Sequence, residues 1–283
     1  MSKMQLLQRG ALAAVAILAA SGVSLASEPP VTDSATLATL DKVLAGDHRS
    51  DANRARDKYR HPKETLSFFG LKQDMTVMEV SPGGGGWYTE VLAPTLREHG
   101  KYIAASWDPK STSEYVKKNS KKFADKLASA PDLYDRAKVV ALQAPNELKP
   151  VPGGSVDMVL TFRNIHSWMG SDSAQAMFDA MYAALKPGGI LGVVEHRAKN
   201  DKPQDPKAES GYVRKDHAIA LATKSGFKLI GESEINANPK DTADHPNGVW
   251  SLPPTLEGGD VDREKFVAIG ESDRFTLRFR KPE

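Results

Sequence analysis

"MTVMEVSPGGGGWYTEVLAPTLREHGKYIAASWD", from Met75 to Asp108, holds the alternation on which the fold turns. A short apolar run, "MTVMEV", gives way to glycines, then to an amphipathic stretch through "WYTEVLAPTLREHG", then to a second short run, "KYIAASWD". Short apolar runs bounded by turn-formers fit strands, and longer stretches with helical spacing fit helices, so the order predicts strand, tight turn, helix, strand. Consecutive glycines after the first strand let the backbone take positive φ and approach a ligand with no β-carbon in the way, while the following helix presents free N–H groups.

Downstream, the alternation continues. "TSEYVKKNSKKFADKLA" predicts a helix, "AKVVALQ" a strand, and "SVDMVLTFRNIHSW" a strand running into a polar loop. "DSAQAMFDAMYAAL" predicts a helix that turns at "KPGG" into the strand "ILGVVEH". "KDHAIALATKSGF" then feeds "KLIGESE", and "RFTLRFRK" makes the last strand. Short apolar strands separated by amphipathic helices call for an α/β fold: a mostly parallel, seven-stranded sheet with helices on both faces and right-handed crossovers. Residues 73–283 are expected to form this domain, with a long loop at 235–256.

Upstream, "ATLATLDKVLAG" and "SDANRARDKYRHPKETLSFFGL" show helical spacing and predict an N-terminal helical cover within residues 27–72. Ser50 or Asp51 is placed to cap the second of these helices, and Pro62 to bend or restart it. Residues 1–26 carry Lys3 and Arg9, then the apolar run "ALAAVAILAASGVSLA", the layout of a secretory signal with cleavage expected after Ala26 and a periplasmic or secreted mature chain. The alternative is an uncleaved anchor, but the run is short against the roughly 20 residues a span needs. There is no Arg-Arg pair in it, so export as an unfolded chain is expected.

Composition narrows the partners. Of the 283 residues 40% are hydrophobic and 26% charged, ordinary for a globular chain. The net charge of +2 is a small difference between 38 basic and 36 acidic residues, so neither nucleic acid nor an anionic membrane is expected as a partner. Cysteine is absent, which removes disulfides and thiol chemistry.

Sheets of this kind bind ligands at the carboxyl ends of the strands, where strand order reverses. Those ends offer Glu79 and Ser81, then Asp108, then Asn164 and His166, then Glu195 and His196. Asp108 stands 29 residues after Glu79 at the end of the next strand, where a carboxylate can accept both hydroxyls of a ribose. Glu195, His196 and His166 could in principle hold a metal. Adjacent residues on a strand point to opposite faces, however, so no metal site is expected without a bulge.

Here "VMEVSPGGGGWYTEVLA", "SWDP", "VDMVLTFRNIHSW" and "LKPGGILGVVEH" resemble the successive motifs of class I S-adenosylmethionine-dependent methyltransferases, a Rossmann-like family. With "NPKDTADHPNGVWSLPP" and "AIGESDRFTLRF" included, the chain is similar to a bacterial group of exported methyltransferases. The resemblance implies S-adenosylmethionine as cofactor, with Glu79, Ser81, Gly83 and Gly85 around its methionine part, Asp108 at the ribose, and residues 143–146 at the adenine edge. The family's first motif usually reads acid-x-Gly-x-Gly-x-Gly, and this chain has Ser81 at the first of those glycines.

"FRNIHSW" is also similar to the matching stretch of quinone-biosynthesis methyltransferases, which implies a small-molecule methyl acceptor, with Asn164 and His166 facing the transferred group. Methyl transfer to oxygen or nitrogen asks the protein to position two reactants and remove one proton, and His166 is the candidate base. The rival expectation is an exported small-molecule-binding protein on a scaffold that has lost catalysis.

Several other residues keep two readings. Trp250, in the long loop, either covers an apolar substrate or packs back onto the domain. Lys240, Asp241 and His245 either make polar contacts to a ligand or are solvated loop tips. In "NRARDKYRH", Arg56 or Tyr59 either reaches the pocket or sits on a wet helix face. Glu271, Asp273 and Arg274, in "ESDRF", are expected to form a local ion pair that fixes a turn.

Overall fold

The structure is a computed structural model that describes residues 32–283. The segment expected to be a secretory signal, with its expected cleavage site, lies outside the described residues.

The chain opens with four helices, α1 (Ser34–Leu44), α2 (Asp51–Arg54), α3 (Asp57–Arg60) and α4 (Pro62–Phe69). Asp33 caps α1 by accepting the Thr36 N–H at 2.7 Å, and Ser50 caps α2 through Asn53. The helix expected to bend or restart at Pro62 restarts there, after a left-handed φ of 39° at His61, and the part before it is two short helices because the ladder is broken around Arg56.

Then come β1 (Thr76–Val80), α5 (Thr89–Leu96), β2 (Lys101–Ser106), α6 (Glu114–Ser129), α7 (Pro131–Tyr134), β3 (Lys138–Ala141) and β4 (Val156–Phe162). These are followed by α8 (Ile165–Gly170), α9 (Ala174–Ala184), β5 (Leu185–His196), α10 (Lys215–Lys224), β6 (Lys228–Ser233), α11 (Arg263–Ile269) and β7 (Arg274–Arg280). The polar loop expected after β4 is helical from Ile165, since Ile165, Trp168 and Met169 share a buried face that loop composition hides.

The strands form a seven-stranded sheet in the order β3-β2-β1-β4-β5-β7-β6. β1 to β5 pair in parallel, whereas β7 runs antiparallel to both β5 and β6. The sheet is therefore mixed. The long segment after β6, with α11 at its end, does not return the chain to the opposite edge of the sheet, so β7 enters from the strands' carboxyl side and runs down.

Each strand alternates its side chains between two cores. Met78 and Val80 of β1 join Val159 of β4 and Phe275, Leu277 and Phe279 of β7 under α8 to α10. Val77 of β1, Leu160 of β4 and Val194 of β5 face the other way, onto Leu40, Leu66, Phe69, Val91 and Leu92 from α1, α4 and α5. Gly192 sits where a β-carbon would collide with Phe69 and Leu160 at 2.7 Å, so β5 lets α4 approach closely. Strand order reverses between β1 and β4, and the carboxyl ends of these two strands open the cleft. Among the described residues, no helix is long and apolar enough to cross a membrane.

Candidate active site

Glu79, next to last in β1, is 2% exposed and accepts hydrogen bonds from Tyr102 (2.6 Å) and Thr89 (3.1 Å). Burial pushes its carboxyl up to about 7, against the pull of those two hydroxyls and, more weakly, of Arg163 and Lys126. The turn that follows is unusual: Ser81 has a φ of 50° and Gly83 one of 73°. A β-carbon added at Gly83 or Gly85 would meet nothing within 4 Å, whereas one at Gly84 would strike Asn119 at 2.6 Å. Gly84 is thus small for packing, while Gly83 and Gly85 border open space.

Gly83 borders a cavity of about 560 Å³ reaching from Ser81 past Trp107 and Gln143 to His166 and Trp250, and Gly85 borders the neighbouring chamber. This chamber, of about 350 Å³, adjoins the cavity and shares Arg163, His166 and Trp250 as its wall. A recess of about 150 Å³ beneath the turn reaches Glu79.

Asp108 lies just beyond β2 and is half-buried, but Trp107 and not Asp108 lines the large cavity. The Asp108 backbone N–H donates to Gln143 Oε1 at 3.0 Å, and its Oδ1 accepts the Lys110 N–H at 2.8 Å. Asn164 does line the cleft. Its amide nitrogen, however, donates to Val80 O and Thr161 Oγ1, both at 3.0 Å, so it ties the end of β4 to the end of β1.

His166 stands at the start of α8 with its Nδ1 3.1 Å from Glu195 Oε1. Glu195 is fully buried and also accepts the backbone N–H groups of Ile165 (2.6 Å) and His196 (2.9 Å). A carboxylate in that bonding pattern is an acceptor only, so Nδ1 of His166 carries its proton and Nε2 is left as the basic nitrogen.

His196 places its Nδ1 2.5 Å from Ser272 Oγ. Burial, with His166 and nearby guanidiniums adding to it, holds its imidazole well below the usual histidine range, so it is neutral. His166, Glu195 and His196 each bring one ligand-type atom within 4.8 Å of the others. The expectation that strand alternation would keep Glu195 and His196 apart is corrected here. The Glu195 carboxylate turns back to accept the N–H of its own neighbour, which brings it to the His196 side of the strand. Three N–H donors fix the carboxylate as an orienting group for His166.

Trp250 roofs the cleft, its ring meeting that of His166 edge-on at 6.0 Å between centroids. The loop that carries it is pinned through Asp241, which is fully buried and accepts from Tyr212 OH (2.9 Å), Ala243 N (2.9 Å) and Asp273 N (2.8 Å). His245 Nε2 lies 2.8 Å from the same carboxylate, so Asp241 and His245 build the loop, and Lys240 is exposed.

The largest departure from expectation is Glu271. Its carboxylate meets Arg274 close by, and also Arg56 (2.5 Å) and Arg60 (3.1 Å) from α3 and the residue before it. Burial alone would raise its pKa, and those three guanidiniums outweigh it and hold the carboxyl far below the usual range. Asp273 pairs instead with Arg197 at 3.3 Å. Four arginines, Arg56, Arg60, Arg163 and Arg274, line the 350 Å³ chamber.

The architecture finds its likeness among solved structures. A SAM-dependent methyltransferase from Aquifex aeolicus superposes with a TM-score of 0.54 at 16% identity, over 88% of this chain and 98% of that one. The fold is that of the S-adenosylmethionine-dependent methyltransferases. The Haemonchus contortus phosphoethanolamine N-methyltransferase 2, solved with S-adenosyl-L-methionine, has a TM-score of 0.52 at 14% identity, over 80% of this chain and 53% of that one. The [4+2]-cyclase SpnF shares this methyltransferase fold too, with a TM-score of 0.54 at 18% identity over 84% of this chain and 86% of its own. By sequence, a sterol 24-C-methyltransferase of Gibberella zeae is 24% identical over 197 residues, 65% of this chain, and the chain spans about half (47%) of that relative's length. No protein-family model matches the chain.

Proposed function

We propose that the protein is an S-adenosylmethionine-dependent methyltransferase acting on a small molecule. One observation carries the proposal: at the point of strand reversal, Gly83 and Gly85 leave room that any β-carbon would take, and the two adjoining cavities they border share a carboxylate-oriented histidine. The methyltransferase fold and the sterol methyltransferase relative support it.

The residues fit the cofactor. Ser81, Gly83 and Glu79 are placed for its amino-acid end, Trp107 and Gln143 for its nucleoside, with Asp108 and Gln143 joined as one unit beside the ribose. Bound there, S-adenosylmethionine supplies an electrophilic methyl group. His166 Nε2 takes the proton from the acceptor, Glu195 holds the imidazole and balances the charge it gains, and Trp250 excludes water. We also infer export, with cleavage after Ala26, from Lys3, Arg9 and the apolar run that follows.

A second reading, a small-molecule-binding protein without methyl transfer, draws on Ser81, a non-glycine in a left-handed conformation at the cofactor turn, and on the cyclase that shares the fold. Calorimetric titration with S-adenosylhomocysteine separates the two. Saturable binding at micromolar concentration is expected, and no binding at millimolar concentration rejects the enzyme.

A further inference from the structure

The 350 Å³ chamber beside His166 carries far more positive charge than it neutralises. Four guanidiniums, from Arg56, Arg60, Arg163 and Arg274, face one carboxylate, that of Glu271. Glu271 is shared among Arg56, Arg60 and Arg274, and Arg163 has no ion pair with any described residue. Arg60 is 3% exposed, yet its Nη1 makes no hydrogen bond among the described residues, and neither does the buried Nε of Arg274. Each such orphaned donor is costly in a folded chain unless something else receives it.

Arg163 adds a second sign. It has a φ of 61°, the left-handed region that a long side chain avoids, at the end of β4 beside the point of strand reversal. Arg163 borders the chamber, the large cavity and the recess under the turn alike. Strain of this kind persists where the surroundings fix a residue for a task.

Besides His166, His196, Thr255 and Ser272, the chamber wall carries the apolar surfaces of Trp87, Val249, Trp250, Pro82, Pro253 and Pro254. Forked guanidiniums together with flat hydrophobic surfaces in one chamber recognise an acid group on an apolar or aromatic body. The volume is at the small end for ligand sites, which run from ~300 to 1,000 Å³. His166 stands on the wall shared with the large cavity, so an acid docked on the arginines points its far atoms towards the base.

We propose that this chamber binds the carboxylate of the methyl acceptor, and that the acceptor is a compact organic acid with an apolar or aromatic body. Its role as acceptor rests on the methyltransferase reading; the anion site does not. The same carboxylate chemistry could be supplied by the amino-acid end of the cofactor, and the test separates the two sources.

The purified protein is titrated calorimetrically with benzoate, with neutral benzamide and with inorganic phosphate, each with and without saturating S-adenosylhomocysteine. Benzoate is expected to bind the S-adenosylhomocysteine-loaded protein at least tenfold more tightly than benzamide. Arg163→Gln is expected to erase that difference, and Arg56→Gln, at a more exposed position, to reduce it severalfold. Equal binding of benzoate and benzamide overturns the anion site, and so does a benzoate affinity that both variants leave unchanged. Mutual exclusion of benzoate and S-adenosylhomocysteine overturns the acceptor assignment in favour of the cofactor's own carboxylate. Binding of phosphate without benzoate overturns the carboxylate. If S-adenosylhomocysteine fails to bind while benzoate binds through Arg163, the anion site stands and the methyltransferase reading falls.

Discussion

Glu195 Oε1 lies 3.1 Å from His166 Nδ1, and the same carboxylate caps the first residue of α8, so one buried group both aims the imidazole and fixes the helix that carries it. His166→Ala is expected to lower kcat by ~10²- to 10⁴-fold, the usual contribution of a positioned base. Glu195→Gln must turn an N–H towards either Ile165 or the His166 pair, costing about 1–3 kcal/mol for the donor left unmet. Single-turnover rates, with S-adenosylhomocysteine affinity measured alongside, check the assignment: both variants should lose rate and keep cofactor affinity.

Gly85 offers a cleaner test of the cofactor cradle than Gly83. Gly83 has a φ of 73°, so any substitution there adds strain, but Gly85 does not share that conformation and borders open space. Gly85→Ala should therefore leave the urea midpoint within the equivalent of about 0.5 kcal/mol, as for a site with no clash. Gly85 borders the arginine chamber, two residues from Gly83 at the large cavity, so the added methyl should weaken S-adenosylhomocysteine at least tenfold where the cofactor's amino-acid end lies along this turn. Unchanged affinity would mean that the cofactor does not lie against this turn.

The contrast between the Gly turn and the arginine chamber shows what a sequence can disclose. The run from Met75 to Asp108 declares strand, turn, helix and strand because short apolar runs, turn-formers and helical apolar spacing are local properties. Glu79, the Gly turn, Asn164 and His166 follow from topology, since strand ends in such a sheet share one edge. Glu271 is different. Its partners Arg56 and Arg60 lie 215 and 211 residues away, and a carboxylate three residues before Arg274 looks locally satisfied. Asp108 departs from expectation in a smaller way: its place just past a strand suggests a lining group, whereas the chain turns there and presents Trp107. β7 reads as a strand from its pattern, but its direction depends on where the preceding segment delivers it.

Glu271 should be the position in the site least tolerant of change. Removing it leaves Arg60 and Arg274, both 3% exposed, and Arg56 without their shared counterion. Breaking a buried ion cluster in this way costs about 3–5 kcal/mol. Glu271→Gln is expected to lose stability of that order in urea denaturation, and the loss should shrink when the Glu271→Gln change is combined with Arg60→Met. Additive losses would show that the cluster does not act as a unit.

Glu79 makes the protein's stability depend on pH in a direction opposite to that of an ordinary salt-bridged carboxylate. Its pKa is about 7 in the folded chain, raised from the 4.5 of a solvated glutamate, with burial as the main cause. A raised folded-state pKa means that the folded chain binds the proton more tightly than the unfolded one. The contribution is fully present below pH 4.5, declines between 4.5 and 7, and is absent above that range. Its size is on the order of 3 kcal/mol, since a tenfold change in proton affinity is worth about 1.4 kcal/mol. The groups facing this carboxyl are the Tyr102 and Thr89 hydroxyls, with Arg163 and Lys126 acting at longer range, and none of them is a close ion pair. Glu79→Gln keeps an oxygen to accept from both hydroxyls and has nothing to ionise. It should match the parent near pH 4.5 and exceed it in stability at about pH 8 by roughly 1–3 kcal/mol. Urea titrations of both proteins at the two pH values decide the matter. A Glu79→Gln variant that loses as much stability as the parent between the lower and the higher pH would place the pH dependence elsewhere.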